Sequence, residues 1–291
     1  MTATDPALSR PRLAALPRWR PSEAEVQRRL PVAIAVAVGV SLIAIVMSTP
    51  IAARGDYGQW LMASRFYLGQ PIPDYRDVAA LPPFVPVLLA AIQLVVPDPV
   101  MALEVLNGLL LAGLLATFYL LGATLLQNRW AGVLSLVIGF VITDRFLELF
   151  AFGGLLQAAA VMFMGLTVVA FVQAAHAPQV ERRWWFAGVA ALALAVLSHV
   201  ATGMIAVPVG LFAAALAVVP RRDMGWRRLT VVLLPLGLGL LAIAGYWLLV
   251  LVPASAEYVT NPASLAYRGP DRLASSLTSY GPTSAAMAVG V

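Results

Sequence analysis

The sequence predicts an all-α, polytopic transmembrane helical bundle with about seven crossings plus one re-entrant or interfacial helix, on three observations: composition, block structure and arginine placement. Of its residues 61% are hydrophobic and 11% charged, against roughly 45–50% and 25% in a soluble domain. Mean hydropathy is +0.86. The apolar residues form long unbroken blocks instead of recurring at a helical or strand period, as in segments wrapped by lipid. Barrel strands would alternate apolar and polar positions over only about ten residues. All 19 basic residues are Arg, and most stand in short loops between blocks, where they orient a chain in the membrane. The net charge of +5 and pI near 10.0 therefore imply no nucleic-acid partner. With no Cys, disulfides, thiolate metal sites and thiol catalysis are excluded.

Residues 1–29 carry Pro, Arg and acids without an apolar run and read as a cytoplasmic tail. The first block, 31–50, exceeds the roughly 7–15 apolar residues of a secretory signal and reads as a permanent span. Further blocks follow at 82–96, 100–126, 130–143, 154–175, 184–201, 203–219 and 229–252. Six Arg in the tail place it inside, so loop 51–81 lies outside, whereas 176–183 and 221–228 read as inside. Four blocks separate that outside loop from the inside turn at 176–183, yet an odd number must cross. Block 82–96 is the exception: it is short, opens with Pro82, Pro83 and Pro86, and precedes Pro97 and Pro99. Arg129 then falls inside, with Asp144, Arg145 and Glu148 outside. Thirteen Arg lie inside and six outside. The expected organisation is a tail, a transmembrane module over 30–252 with external loops 51–81 and 144–153, and a segment 253–291 that is an external tail or leads into a further span.

Intramembrane carboxylates and His mark ion-coupled transporters. Here Glu104 and His199 are the candidates, and Glu104 lies near a helix start. Polar chemistry gathers instead in the two outside loops. In the first, Trp60, Leu61, Ser64, Tyr67 and Leu68 recur at helical spacing, with Asp56 placed to cap the helix and Gly69-Gln70-Pro71 to end it. An interfacial amphipathic helix whose Asp serves only as a cap satisfies that pattern. Asp144 and Glu148, at helical spacing, fit a helix start or a divalent-metal site. His199 is expected near the outer end of its span, bonding between helices or touching substrate.

An Asp directly after the first span, the pattern Tyr57-x-x-x-x-x-Ala63-x-x-x-x-x-Gly69, and Pro82-Pro83-Phe84-x-Pro86 together resemble the first external loop of the GT-C glycosyltransferases. Residues 129–148 resemble the segment that carries the superfamily's second external acid. The resemblance covers roughly residues 31–175, with Leu81 standing where the mannosyltransferases carry His. It implies a GT-C-like bundle with its site facing away from the cytoplasm, Asp56 as catalytic base and Asp144 as the second carboxylate. It also implies a polyprenyl-phosphate-linked sugar as donor. The apolar stretch 285–291 resembles the start of another span, as in the N-terminal module of a longer enzyme.

Inverting transfer from a lipid phosphate needs one general base and cations for the leaving phosphate. Arg54, Arg65 and Arg76 suit the second task through their planar forks, and Glu148 and His199 are further substrate contacts. The expectation is thus a membrane glycosyltransferase in the cytoplasmic membrane of a bacterium, among membrane lipids, acting on a saccharide, lipid or protein acceptor, with a divalent metal as an optional cofactor. A non-catalytic membrane subunit or scaffold is the first rival reading, and a transporter or lipid flippase the second.

Overall fold

The structure, a computed structural model, describes residues 22–48, 56–71, 81–142, 154–177, 181–218, 226–246 and 248–249. Among these residues there are helices and no strands: α1 (Glu23–Met47), α2 (Tyr57–Tyr67), α3 (Phe84–Gln93), α4 (Pro99–Leu125), α5 (Arg129–Ile142), α6 (Leu155–His176), α7 (Arg182–Ser198), α8 (Val200–Val218) and α9 (Trp226–Tyr246). Four of them, α1, α4, α6 and α8, are long and apolar enough to cross a membrane, as a helical membrane protein requires.

Local chemistry sets boundaries that the apolar blocks alone misplace. Helix α1 begins at Glu23, within the segment expected to be tail. Ser22 caps it, its hydroxyl accepting from the Glu25 N–H at 3.2 Å, and Arg29 pairs with Glu25 one turn back. The break between α7 and α8 falls at His199, not at Thr202-Gly203. His199 is extended (φ −156°, ψ 123°), and its Nδ1 accepts from the Thr202 N–H at 3.2 Å, capping α8. Gly203 is already helical and has a different role: a Cβ there would stand 2.8 Å from the Val196 Cα, so its absence lets the two helices close into a hairpin.

Paired contacts fix the helix directions. Arg129 at the start of α5 donates to the backbone carbonyl of Arg28 in α1 at 2.6 Å, so those helices start at one end of the bundle. Helix α5 runs back along α4, with Gly122 against Ala131 and Gly139 against Phe118. Helix α6 is parallel to α4: Gly113 faces Met162, Thr117 faces Gly165, and Gln173 donates to the Thr124 hydroxyl at 3.3 Å. Helix α7 returns along α6 with Gly188 on Phe171, and α8 follows α6, with Ala213, Ala214 and Ala217 around Phe171 and Ala174. Helix α9 is parallel to α7, because Leu236 joins the Trp185 cluster while Ile243 joins that of Leu192 and Val196. The long helices therefore alternate in direction.

Two chemically different ends result. One carries the starts of α1, α5, α7 and α9, where the sequence places Arg28, Arg29, Arg129, Arg182, Arg183, Arg227 and Arg228 against Glu23, Glu25 and Glu181. The other carries α2, α3, the start of α4 and the His199 turn, with Asp56, Asp98 and Glu104 against Arg65 alone among the described residues. We call them the basic and the acidic end.

The sides between them are apolar. On α1 the buried positions Pro31, Ala35 and Gly39 form a single stripe four residues apart, while Val36, Val40 and Ile45 are about 60% exposed. Leu109, Phe212 and Leu241 are likewise exposed. A surface so continuously apolar is incompatible with water and suits hydrocarbon. Helix α6 is the most enclosed of the four candidate spans, its Ala158, Ala159, Ala160 and Gly165 allowing α3, α4, α7 and α8 to approach.

Candidate functional site

At the acidic end α2 is held by polar bonds as well as apolar packing. The Asn107 amide of α4 donates to the Tyr57 hydroxyl at 2.9 Å, and both side chains are buried. Burial pushes the Tyr57 phenol up from its ordinary value, opposed in part by that hydrogen bond, so it stays protonated at neutral pH. One turn from the far end, the Ser64 hydroxyl accepts from the Gln93 amide of α3 at 3.0 Å. The buried face of the helix is rotated slightly from the one expected by spacing. Tyr57, Trp60, Ala63 and Ser64 are buried, while Tyr67 is exposed and stands edge-on to Phe66.

Asp56 is the N-cap residue of α2, but its side chain makes no capping hydrogen bond. The cause is its backbone. At φ −86°, ψ 0° Asp56 is already in the helical region, whereas an Asp whose carboxylate reaches the first-turn amides needs extended dihedrals. Asp98, at the same position of α4, has them (φ −70°, ψ 117°), and its Oδ1 accepts from the N–H groups of Val100 and Met101 at 2.9 Å each. The Asp56 carboxylate is exposed at the acidic end.

Helix α3 begins deep and ends shallow. Phe84 packs edge-to-face on Phe163 (ring centroids 5.0 Å apart), and Phe163 lies eight residues into α6, about 12 Å from its start. From there α3 climbs to Gln93 and joins α4 at Pro99. Pro86 occupies the first turn of α3, where a backbone N–H would find no intrahelical acceptor. The prolines that argue against a straight span thus suit a helix that starts inside a low-dielectric bundle.

Of the other expected site residues, Arg65 is exposed on α2. It stands nine residues beyond Asp56, about half a turn round and about 13 Å along the axis, so the two do not share a face. His199 is half-buried in the α7–α8 turn, its Nδ1 within 2.9 Å of the Thr202 hydroxyl. Its hydrogen bonds are local to the start of α8, not between helices as expected. Because Nδ1 accepts from a backbone amide, the proton of the neutral ring is assigned to Nε2. Burial pushes its pKa below the ordinary value. Asp144, Glu148, Arg54 and Arg76 lie outside the described residues, as do loops 72–80 and 143–153. Among the described residues no three His, Asp or Glu side chains gather as a metal site would need.

Sequence reading singled out neither Asn107 nor the Ser64–Gln93 bond. Asn107 had a signal, being a lone amide inside an apolar block, where a polar group needs a partner. Gln173, within α6, carried the same signal. No protein-family model, curated protein or solved structure matches the chain.

Proposed function

We propose that the chain is a GT-C-like membrane glycosyltransferase, or the N-terminal module of one, that moves a sugar from a polyprenyl-phosphate donor to an acceptor on the non-cytoplasmic face. In this reading α1 and α4 to α9 are seven crossings and α3 is the re-entrant helix. The arginine-rich end, with the N-terminus, faces the cytoplasm by the positive-inside bias, and the acidic end faces outward. The alternating helix directions support successive crossings without using charge, while the orientation rests on the arginine bias alone.

One observation carries the catalytic role: Asp56 holds a cap position yet leaves its carboxylate out of the cap, on a short helix pinned by Tyr57–Asn107 and Ser64–Gln93. A carboxylate that is exposed, unpaired by any cap and rigidly mounted is what a general base needs. Asp56 takes the proton of the acceptor hydroxyl as its oxygen bonds to the anomeric carbon. The bond from that carbon to the phosphate oxygen breaks, and its electron pair leaves with the polyprenyl phosphate. Asp144 assists in positioning the acceptor. The orientation of Arg65 away from Asp56 moves the phosphate clamp to Arg54 and Arg76, in the same external loop.

Transfer by the purified full chain, assayed with polyprenyl-phosphate sugars, tests this. Asp56→Asn and Asp144→Asn should each lose most of the activity, with substrate affinity largely kept. Undiminished turnover in both variants would remove the proposed site. Single cysteines at positions 56 and 144 should label from the same side of sealed vesicles.

A further inference from the structure

The strongest unassigned feature is at the other end of the molecule. A cavity of about 510 Å³ opens at the basic end beside the α4–α5 turn, and its polar lining includes Thr124, Gln127, Asn128, Arg129, Gln173 and His176. Among the described residues no carboxylate lines it. Arg129 donates one N–H to the Arg28 carbonyl and forms no ion pair among the described residues, so most of its guanidinium fork remains for a ligand. Gln127 adopts φ +49°, a left-handed conformation usually left to glycine, at the residue that closes α4. A side chain is therefore kept on the cavity wall where Gly would be the less strained choice.

This cavity does not end in water on all sides. It shares Leu120, Thr124 and Gln173 with a second cavity, of about 390 Å³, which lies over α6 between α4 and α7. That groove is lined almost wholly by apolar side chains, among them Phe163, Leu166, Ala170, Ala187 and Leu194. From Gln173 to Phe163 it follows ten residues of α6, or about 15 Å. A bilayer's hydrocarbon core is about 30 Å thick, so the groove has the depth of one leaflet.

An anion-complementary pocket at the mouth of a one-leaflet apolar groove has the shape of one molecule: a lipid with a negatively charged head. We propose that the basic end binds a single anionic phospholipid, its phosphate against Arg129, Asn128 and Gln173 and one acyl chain along α6 between α4 and α7. A free phosphate or nucleotide would satisfy the pocket but leave the groove unexplained, whereas a zwitterionic lipid would bring an ammonium group to an arginine-rich end. The proposal concerns the face opposite Asp56 and stands or falls separately from sugar transfer.

Native mass spectrometry of the full chain, delipidated in detergent and titrated with dioleoyl phosphatidylglycerol or phosphatidylcholine, reads the binding directly. The wild type should hold one phosphatidylglycerol at least about ten-fold more tightly than phosphatidylcholine, the scale of one charge-assisted hydrogen-bond pair. Arg129→Gln should reduce that preference to within about two-fold, and Arg129→Lys should keep most of it, since a point charge still binds phosphate. Ala187→Trp, which fills the groove without touching the pocket, should weaken both lipids. Equal affinity of the wild type for the two lipids would overturn the proposal, as would an unchanged preference in Arg129→Gln. If inorganic phosphate displaces phosphatidylglycerol while Ala187→Trp binds normally, the pocket takes a soluble anion and the lipid assignment is wrong.

Discussion

Replacing Tyr57 by Phe removes one oxygen atom, and the structure gives the consequence a definite sign. The Tyr57 hydroxyl accepts from the buried Asn107 amide, while Asn107 Oδ1 has no partner among the described residues. Turning the amide over would exchange its ends without giving both a partner. In Tyr57→Phe the whole amide is left unmatched, at a cost of roughly 1–3 kcal/mol for a buried polar group. Polar contacts between helices in lipid average only about 0.6 kcal/mol with a maximum near 1.7, so about 1–1.5 kcal/mol is expected. Asn107→Ala should cost less, because it removes an unsatisfied oxygen together with the donor. In the Tyr57→Phe background the same change should become neutral or stabilising, giving a coupling of about 1 kcal/mol. Reversible unfolding of the full chain in mixed micelles, run as a double-mutant cycle, measures this. Additivity of the two changes to within about 0.3–0.5 kcal/mol would show that the bond does not hold α2, and the argument that Asp56 is rigidly mounted would fail with it.

Other consequences are as specific. Asp98→Ala should destabilise by about 1 kcal/mol through loss of a cap, whereas Asp56→Ala should leave the melting temperature unchanged; equal losses in a thermal-shift assay would return Asp56 to a capping role. His199 has a depressed pKa in the folded protein, so its neutral cap contributes stability above the unfolded value near 6.5 and loses it as pH falls through the folded value. Melting temperature should therefore rise with pH over that window, and His199→Ala should flatten the rise; an unaltered slope would assign it to other groups. Gln127→Gly should stabilise by about 1 kcal/mol by relieving the left-handed residue, read in the same unfolding assay, and a loss of stability would mean that the side chain holds the turn. Because the chain has no native Cys, single cysteines at Gln70 and Asn128 give clean labels, and in right-side-out vesicles only position 70 should react with an impermeant maleimide.

The helices were legible because apolar blocks in lipid admit little else, and α2 was legible from its 3.6-residue spacing. What the sequence concealed depends on backbone dihedrals and on contacts between distant segments. Asp56 and Asp98 are the same residue at the same position before a helix, yet only Asp98 caps, because ψ differs by more than 100° between them. No spacing rule contains that angle. The apolar blocks put the break between α7 and α8 at residue 202, but the His199 imidazole makes the turn by capping α8, and Gly203 serves close packing against Val196. The prolines of 82–96 were legible as features that weaken a straight span, but their local effect was not: in the folded chain Pro86 removes a donor that would otherwise be unmatched at the deep end of α3.

That last point bears on why the acidic end is built as it is. Short helices and irregular backbone are unfavourable at membrane depth unless protein surrounds them, and α3 meets that condition by packing Val85 and Leu89 into the main core and Phe84 onto α6. A fold that needed only to fill a bilayer could have joined α1 to α4 with a simple external turn. Instead it inserts two helices, ties them together through Ser64 and Gln93, and fixes the first to α4 through Asn107. The product of that construction is a fixed position for the residue preceding Tyr57. The basic end differs: its turn between α4 and α5 is short, and its cavity lies where three of the longest helices and that turn meet. Fixed placement of a carboxylate at one end and an anion-accepting pocket at the other are separate pieces of construction, so the sugar-transfer reading and the lipid-binding reading call for separate experiments.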